Sequence, residues 1–153
     1  MTRTLLMLIV AVALATIASA ESPAPAAAKP QMTTGNGDAN WIIADGVTRK
    51  GSTFTFREVK IEDDGWLVLH PFRDGKPYGQ IYVGSTFLEG GRHENVEISV
   101  PVEPEPGKMF LVMLHSDVNE NKEFDFVFVD ERNVLDKAVF EGMTMIAHPF
   151  ATP

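Results

Sequence analysis

Between two apolar runs the chain reads LHSDVNENKEFDF, residues 114–126, with oxygen-bearing side chains at every second position: Asp117, Asn119, Asn121, Glu123 and Asp125. A hard cation uses such a pattern. Ca²⁺ takes about six to eight oxygens, and a chain curling round the ion turns alternate residues inward. Counted from Asp117, the donors match the front half of an EF-hand loop, but Lys122 stands where Gly eases the sharp turn and Phe128 where Glu binds through both oxygens. Asp125, or Asp130 folding back, is therefore expected to supply the missing carboxylate. Weak binding is expected, because a left-handed Lys122 costs about 1–2 kcal/mol and brings an ammonium near the ion. The same residues can close a metal-free turn through hydrogen bonds to nearby backbone N–H groups, and the sequence leaves both readings open.

A second constellation is softer. His70 and His115 each close a strand-like run, and Met113 shares a strand face with His115 two residues away. If those strands are neighbours, the imidazoles meet at one end of the fold. Imidazole with thioether suits copper, Cu(I) above all. Met143, Met145 and His148 lie on the last run, where strand parity turns His148 away from the two methionines. Methionines in strands are also common core filler. The absence of cysteine excludes a blue-copper site, a thiolate zinc site and any disulfide. Catalytic signatures are missing too: there is no G-x-S-x-G, P-loop or dinucleotide fingerprint, and HENVE at 93–97 lacks the second histidine of a zinc protease and alternates like a strand. The sequence thus reads as non-enzymatic.

The elements that must position these residues are strands. From Trp41 onward, apolar runs recur about every ten residues, each closed by Gly, Pro, Asp or Asn. Phe54 and Phe56 lie on one parity, Val59 and Ile61 on the other, so a bulge near Arg57–Glu58 is expected to keep all four inward. GWLVLHPF and KMFLVMLH are apolar on both parities and read as central strands. FDFVFVDE reads as another strand, and ERNVLDKAV as two helical turns at most. Trp66 is expected to fill the core between the sheets. The pattern predicts an all-β fold, an antiparallel sandwich of immunoglobulin-like or cupredoxin-like type with about seven to eight strands.

Upstream, MTRTLLMLIVAVALATIASA has a charged start, an apolar stretch and Ala18-Ser19-Ala20, the layout of a cleaved signal peptide. Residues 21–40, rich in Ala and Pro and then Gly, read as a flexible linker before a domain at 41–153. The 13 basic and 21 acidic residues give a net charge of −8, or −9 once Arg3 leaves with the leader. That balance disfavours nucleic acid and anionic lipid, and no membrane insertion is expected after cleavage. The chain is thus expected in the periplasm or at the cell surface, meeting an envelope or surface partner.

Three segments together resemble an uncharacterised family of exported archaeal and bacterial surface domains: DGWLVLH (64–70), GSTFLEGGRHENVEISV (84–100) and MLHSDVNENKEFDF (113–126). The similar pattern is Gly-aromatic-x-Val-x-His, Gly-x-His-x-Asn-Val and His-x-Asp-x-Asn-x-Asn-Gly-x-aromatic-Asp-Phe. It maps onto His70, His93, His115, Asp117, Asn119, Asn121 and Asp125, over about residues 44–150. The resemblance implies a β-sandwich displayed outside the cell, with no activity attached. Where those relatives carry Gly in the loop, this chain has Lys122.

Overall fold

The computed structural model describes residues 31–129, 132–133 and 135–153, so the expected leader and the first half of the expected linker lie outside the described residues. Six strands of five or more residues dominate: β4 (Thr53–Ile61), β5 (Gly65–Arg73), β7 (Gly84–Leu88), β8 (Gly91–Ser99), β9 (Met109–Ser116) and β13 (Thr144–Ala151). Short pieces trim the edges: β1 (Thr33–Gly35), β2 (Trp41–Ile42), β3 (Thr48–Lys50), β6 (Lys76–Pro77) and β12 (Phe140–Glu141). A separate hairpin joins β10 (Phe128–Val129) to β11 (Arg132–Asn133).

The first sheet runs β1-β13-β9-β5, with β7 and β6 along the free edge of β5 and β12 folded onto β13. The second places β4 between β8 and the short β2 and β3. Pairing is antiparallel except for β1 with β13. Among the described residues there is no helix, and none long and apolar enough to cross a membrane. The protein is an all-β sandwich, as its pattern predicts. The strands outnumber the expected seven or eight because the irregular edges break into two- and three-residue pieces.

Alternation explains the core. Phe54, Phe56, Val59 and Ile61 of β4 and Val96 and Ile98 of β8 meet Leu67, Leu69, Phe110, Val112, Leu114, Ile146 and Phe150 from the opposing sheet. Phe54 packs edge-to-face on Phe110 and Phe150 with centroids 5.5 and 5.4 Å apart. Each such ring contributes on the order of 1.5–3 kcal/mol by leaving water. The inward parity of β4 switches at Arg57, near the expected bulge. The register with β8 is the same on both sides of the switch, and Asn95 on β8 takes a left-handed φ of 54° there.

The described residues begin inside the stretch read as linker. Thr33–Gly35 pair with Thr144–Ile146. The Glu141 carboxylate accepts the side-chain amide of Asn40 at 2.9 Å and the backbone N–H groups of Asp38, Ala39 and Asn40 at 2.6–3.1 Å, which together hold its pKa below the usual carboxylate value. Backbone pairing and one half-buried carboxylate thus hold in place residues that carry no apolar pattern.

Candidate functional site

β5 and β9 lie side by side, so alternate residues of each face away from the sandwich core. Leu67 and Leu69 point in with Val112 and Leu114, while Trp66, Val68, His70, Leu111, Met113 and His115 share the outer face. Trp66 stands opposite His115 and His70 opposite Leu111, with Val68 and Met113 paired between them. Antiparallel pairing therefore leaves the two histidine backbones four residues out of step, and the rings close the gap lengthwise. Their Nε2 atoms come within 3.3 Å. The pair lies over the outer face rather than at one end of the sandwich. Gly65 lets the strands approach there: a Cβ on it would collide with the carbonyl oxygen of His115.

Both rings are buried, His70 at 0% and His115 at 2% exposure. Nδ1 of His70 lies 2.6 Å from the carbonyl of Ile81, and Nδ1 of His115 lies 2.6 Å from that of Asp136. A carbonyl only accepts, so each Nδ1 carries the hydrogen and donates it. Two neutral imidazoles own one N–H each, and both are now used. The facing Nε2 atoms are left as two lone pairs. Burial drives both pKa values down, that of His115 to about 4, so protonation is disfavoured at neutral pH. Two fixed, unprotonated nitrogens aimed at one point are a ligand pair for an electrophile.

An aromatic cover seals the pair. Phe124 and Phe126 stack at 5.5 Å; Phe126 lies 5.4 Å from His70 and 5.6 Å from His115, and Phe124 lies 5.4 Å from His115. Tyr82 closes the far side, 4.9 Å from Phe124. Trp66 belongs to this pocket and not to the inter-sheet core: it packs on Phe87 at 5.2 Å and Phe124 at 5.4 Å, and its buried Nε1 has no hydrogen-bond partner. Among its described residues the run FDFVFVDE yields a strand only at Phe128–Val129, because Phe124 and Phe126 turn to cover the histidines.

The oxygen-rich loop borders the cover. Asp117 is buried; its Oδ2 accepts the N–H of Lys122 at 2.9 Å, while its Oδ1 has no donor. Asn119 and Asn121 each donate an amide N–H to Oδ2 of Asp125 at 2.8 Å, lowering the pKa of Asp125. Glu123 is exposed, its backbone N–H bonded to Oδ1 of Asn121. Lys122 does take the left-handed conformation, φ 58°, and sends Nζ outward to within 3.9 Å of Glu89. Asp136 reaches the loop from further along the chain and accepts the N–H of Val118 at 3.2 Å and of Asp125 at 2.6 Å. Asp130 lies outside the described residues. Burial raises the pKa of Asp136, helped by the charges of Asp117 and Asp125. Among the described residues no three His, Cys, Asp or Glu side chains close on one point as they stand. Beside the loop, Glu62, Asp63, Asp64, Glu89 and Glu120 line an acidic groove of about 960 Å³ with Asp117.

A family model described as a domain of unknown function, DUF7282, matches residues 41–148. The chain belongs to the DUF7282 family. No curated protein and no solved structure matches it. In this DUF7282 domain two of the three motif segments build the pocket: DGWLVLH brings Trp66 and His70, and MLHSDVNENKEFDF brings Met113, His115, Phe124 and Phe126. The middle segment contributes Phe87, while its His93 binds the carbonyl of Glu89 at 2.7 Å on the other sheet. His148 also stands apart, 2.7 Å from Oδ1 of Asn36. Sequence reasoning missed Asp136 and the cover; the alternating Phe124-Asp125-Phe126 was the signal for the latter.

Proposed function

We propose that this DUF7282 domain is an exported, non-enzymatic β-sandwich that binds one copper ion, Cu(I), between His70 and His115, with Met113 as third donor. One observation carries the reading: two Nε2 lone pairs 3.3 Å apart, each fixed by a carbonyl-bound Nδ1–H behind it. Nitrogens held at about 2.0 Å from an ion and 3.3 Å from each other subtend about 110°, an angle ordinary for a three- or four-coordinate centre. The surroundings favour a soft, singly charged ion. Burying a divalent cation among phenylalanines without a carboxylate is costly, whereas imidazole with thioether suits Cu(I). Structural zinc asks for four ligands, and the pocket offers two histidines.

Nothing in the pocket resembles a positioned base beside a nucleophile, and the cover keeps water from the ion. Holding, carrying or buffering the metal fits this better than catalysis. The leader-like first twenty residues support a place outside the inner membrane, where the chain would meet an envelope partner.

Competition against a Cu(I) chelator tests the assignment. The parent should bind one ion per chain, and His70→Ala and His115→Ala should each weaken binding by about a hundredfold or more, beyond the 10–100-fold typical of lost outer partners. Met113→Leu should cost less. Equal affinity in all four proteins would remove copper from this site.

A further inference from the structure

An ion bound for the buried histidines must pass what covers them. Phe124, Phe126 and Tyr82 close one side with rings. Along the sheet, on the other side, the neighbours carry sulfur. The methionines among the described residues are Met32, Met109, Met113, Met143 and Met145. On β9, Met109 and Met113 share the parity of His115 and so the outer face. β13 sets Ala147 opposite Met113, and Met145, two residues before Ala147, lies on the same face. Met145 packs on the cluster that Met113 forms with Leu111 and Ala147. Met143 stands at the tip of the β12–β13 hairpin, 46% exposed. Its carbonyl accepts the N–H of Thr33 at 3.0 Å, which seats Met32, 67% exposed, beside it.

Thioethers thus run inward from solvent, through half-buried Met145, to Met113 between the rows of the two histidines. Core filling accounts for Met113, but Met32 and Met143 fill nothing. The floor of this run is low. Ala147 opposes Met113, and Ala138 bridges to His115. Ala147 faces outward from the sandwich and is still fully buried, so the longer side chains of its cluster close over it. Unbranched, flexible thioethers above two alanines have room to change rotamer.

We propose that Met32 and Met143 capture Cu(I) at the surface and that Met145 passes it to Met113 and the histidine pair. The destination rests on the copper reading; the capture does not. Each step is a ligand exchange in which an incoming sulfur lone pair bonds the ion before the outgoing one leaves. The ion keeps its single charge, and no electron or proton moves. Thioether donors also select at the entrance, since they suit Cu(I) and leave harder divalent ions in water. A route of this kind speeds filling and emptying by one factor and leaves the equilibrium alone.

Rate and affinity therefore separate the route from its destination. Cu(I), supplied as its acetonitrile complex, is mixed with the mature protein and followed by the fluorescence of Trp66 at the pocket. Met143→Leu and Met145→Leu, which keep the side-chain volume, should each slow loading by about fivefold or more while the final affinity moves by less than about twofold. Met109→Leu, on the same face but off the route, should load like the parent. Capture is read without the deep site by titrating Ag(I), soft and singly charged like Cu(I), into His70→Ala/His115→Ala labelled at the methionine methyls. The Met32 and Met143 resonances should shift and that of Met109 should not. If that variant does not fold, Ag(I) beyond one equivalent on the parent reads the same methyls. Loading at the parent's rate in Met143→Leu/Met145→Leu overturns the route. Unmoved Met32 and Met143 methyls overturn the capture. A parent no tighter than its histidine variants overturns the destination and the copper reading together, and the methyl shifts decide the capture by themselves.

Discussion

The two faces of the β5–β9 pair are both buried, and they are buried for different ends. Toward the second sheet the strands show Leu67, Leu69, Phe110, Val112 and Leu114, with no polar side-chain atom. Away from it they show Trp66, His70, Met113 and His115, closed over by a loop rather than a sheet. The inner face needs only volume and shape, and its partners are strands held by ladders of hydrogen bonds. The outer face places four imidazole nitrogens, and the positions of two carbonyls decide what those nitrogens can do. Where a strand is apolar on both parities, the face carrying the polar atoms is the one to search for chemistry.

Removing Phe110 from the inner face is the severest change. The ring touches Phe54 and Phe150, and Phe110→Ala should cost about 3–5 kcal/mol in urea denaturation through lost burial and a cavity. A cost below about 1 kcal/mol would mean that the two sheets are not packed on this residue.

Acid separates the faces next. In the metal-free protein the unfolded chain protonates His115 below its ordinary value of 6.5, whereas the folded site refuses the proton until about 4. Stability therefore falls as pH drops through that window and levels off below it, by about 3 kcal/mol at 1.4 kcal/mol per unit. His70, also lowered by burial, adds to the slope in the same direction. In His115→Leu the decline between pH 6.5 and 4 should shrink. A parent whose unfolding free energy is flat over that range would show the pair to be solvated.

The cover should matter less to stability than either. Phe124 is half-buried, and Phe124→Ala should cost about 1–2 kcal/mol from partial burial and lost ring contacts. It should also open the histidines, so a histidine-directed reagent that is slow on the parent should react faster with the variant. An unchanged rate would assign the sealing to Tyr82 and Phe126.

These faces were unequally legible in the sequence. Strand spacing and the two-sided character of β5 and β9 followed from parity alone, whereas the meeting of His70 and His115 hung on their strands being neighbours, which parity does not fix. Which parity faced the other sheet did not follow, because both were apolar, and Trp66 was placed in the wrong layer for that reason. Phe124 and Phe126 alternate as strand residues do, and only the tertiary need to cover the histidines turns them into a lid. Asp136 is a long way along the chain from Asp117, with no local pattern to mark it. Thr33–Gly35 join the sheet through backbone pairing, which leaves no apolar trace.

The smallest expected effect has the opposite sign and bears on the loop that closes the outer face. Lys122 occupies the left-handed region at φ 58°, which glycine enters without a side-chain clash. Its ammonium returns little: the contact with Glu89 is 3.9 Å long and both side chains are exposed. Against this, glycine raises the entropy of the unfolded chain, which takes back part of the relief. Lys122→Gly should therefore stabilise the protein by less than about 1 kcal/mol, the balance of left-handed strain over chain entropy. A destabilised variant would mean that the lysine stem over Phe87, 5.1 Å from Nζ to the ring centre, is part of the cover itself.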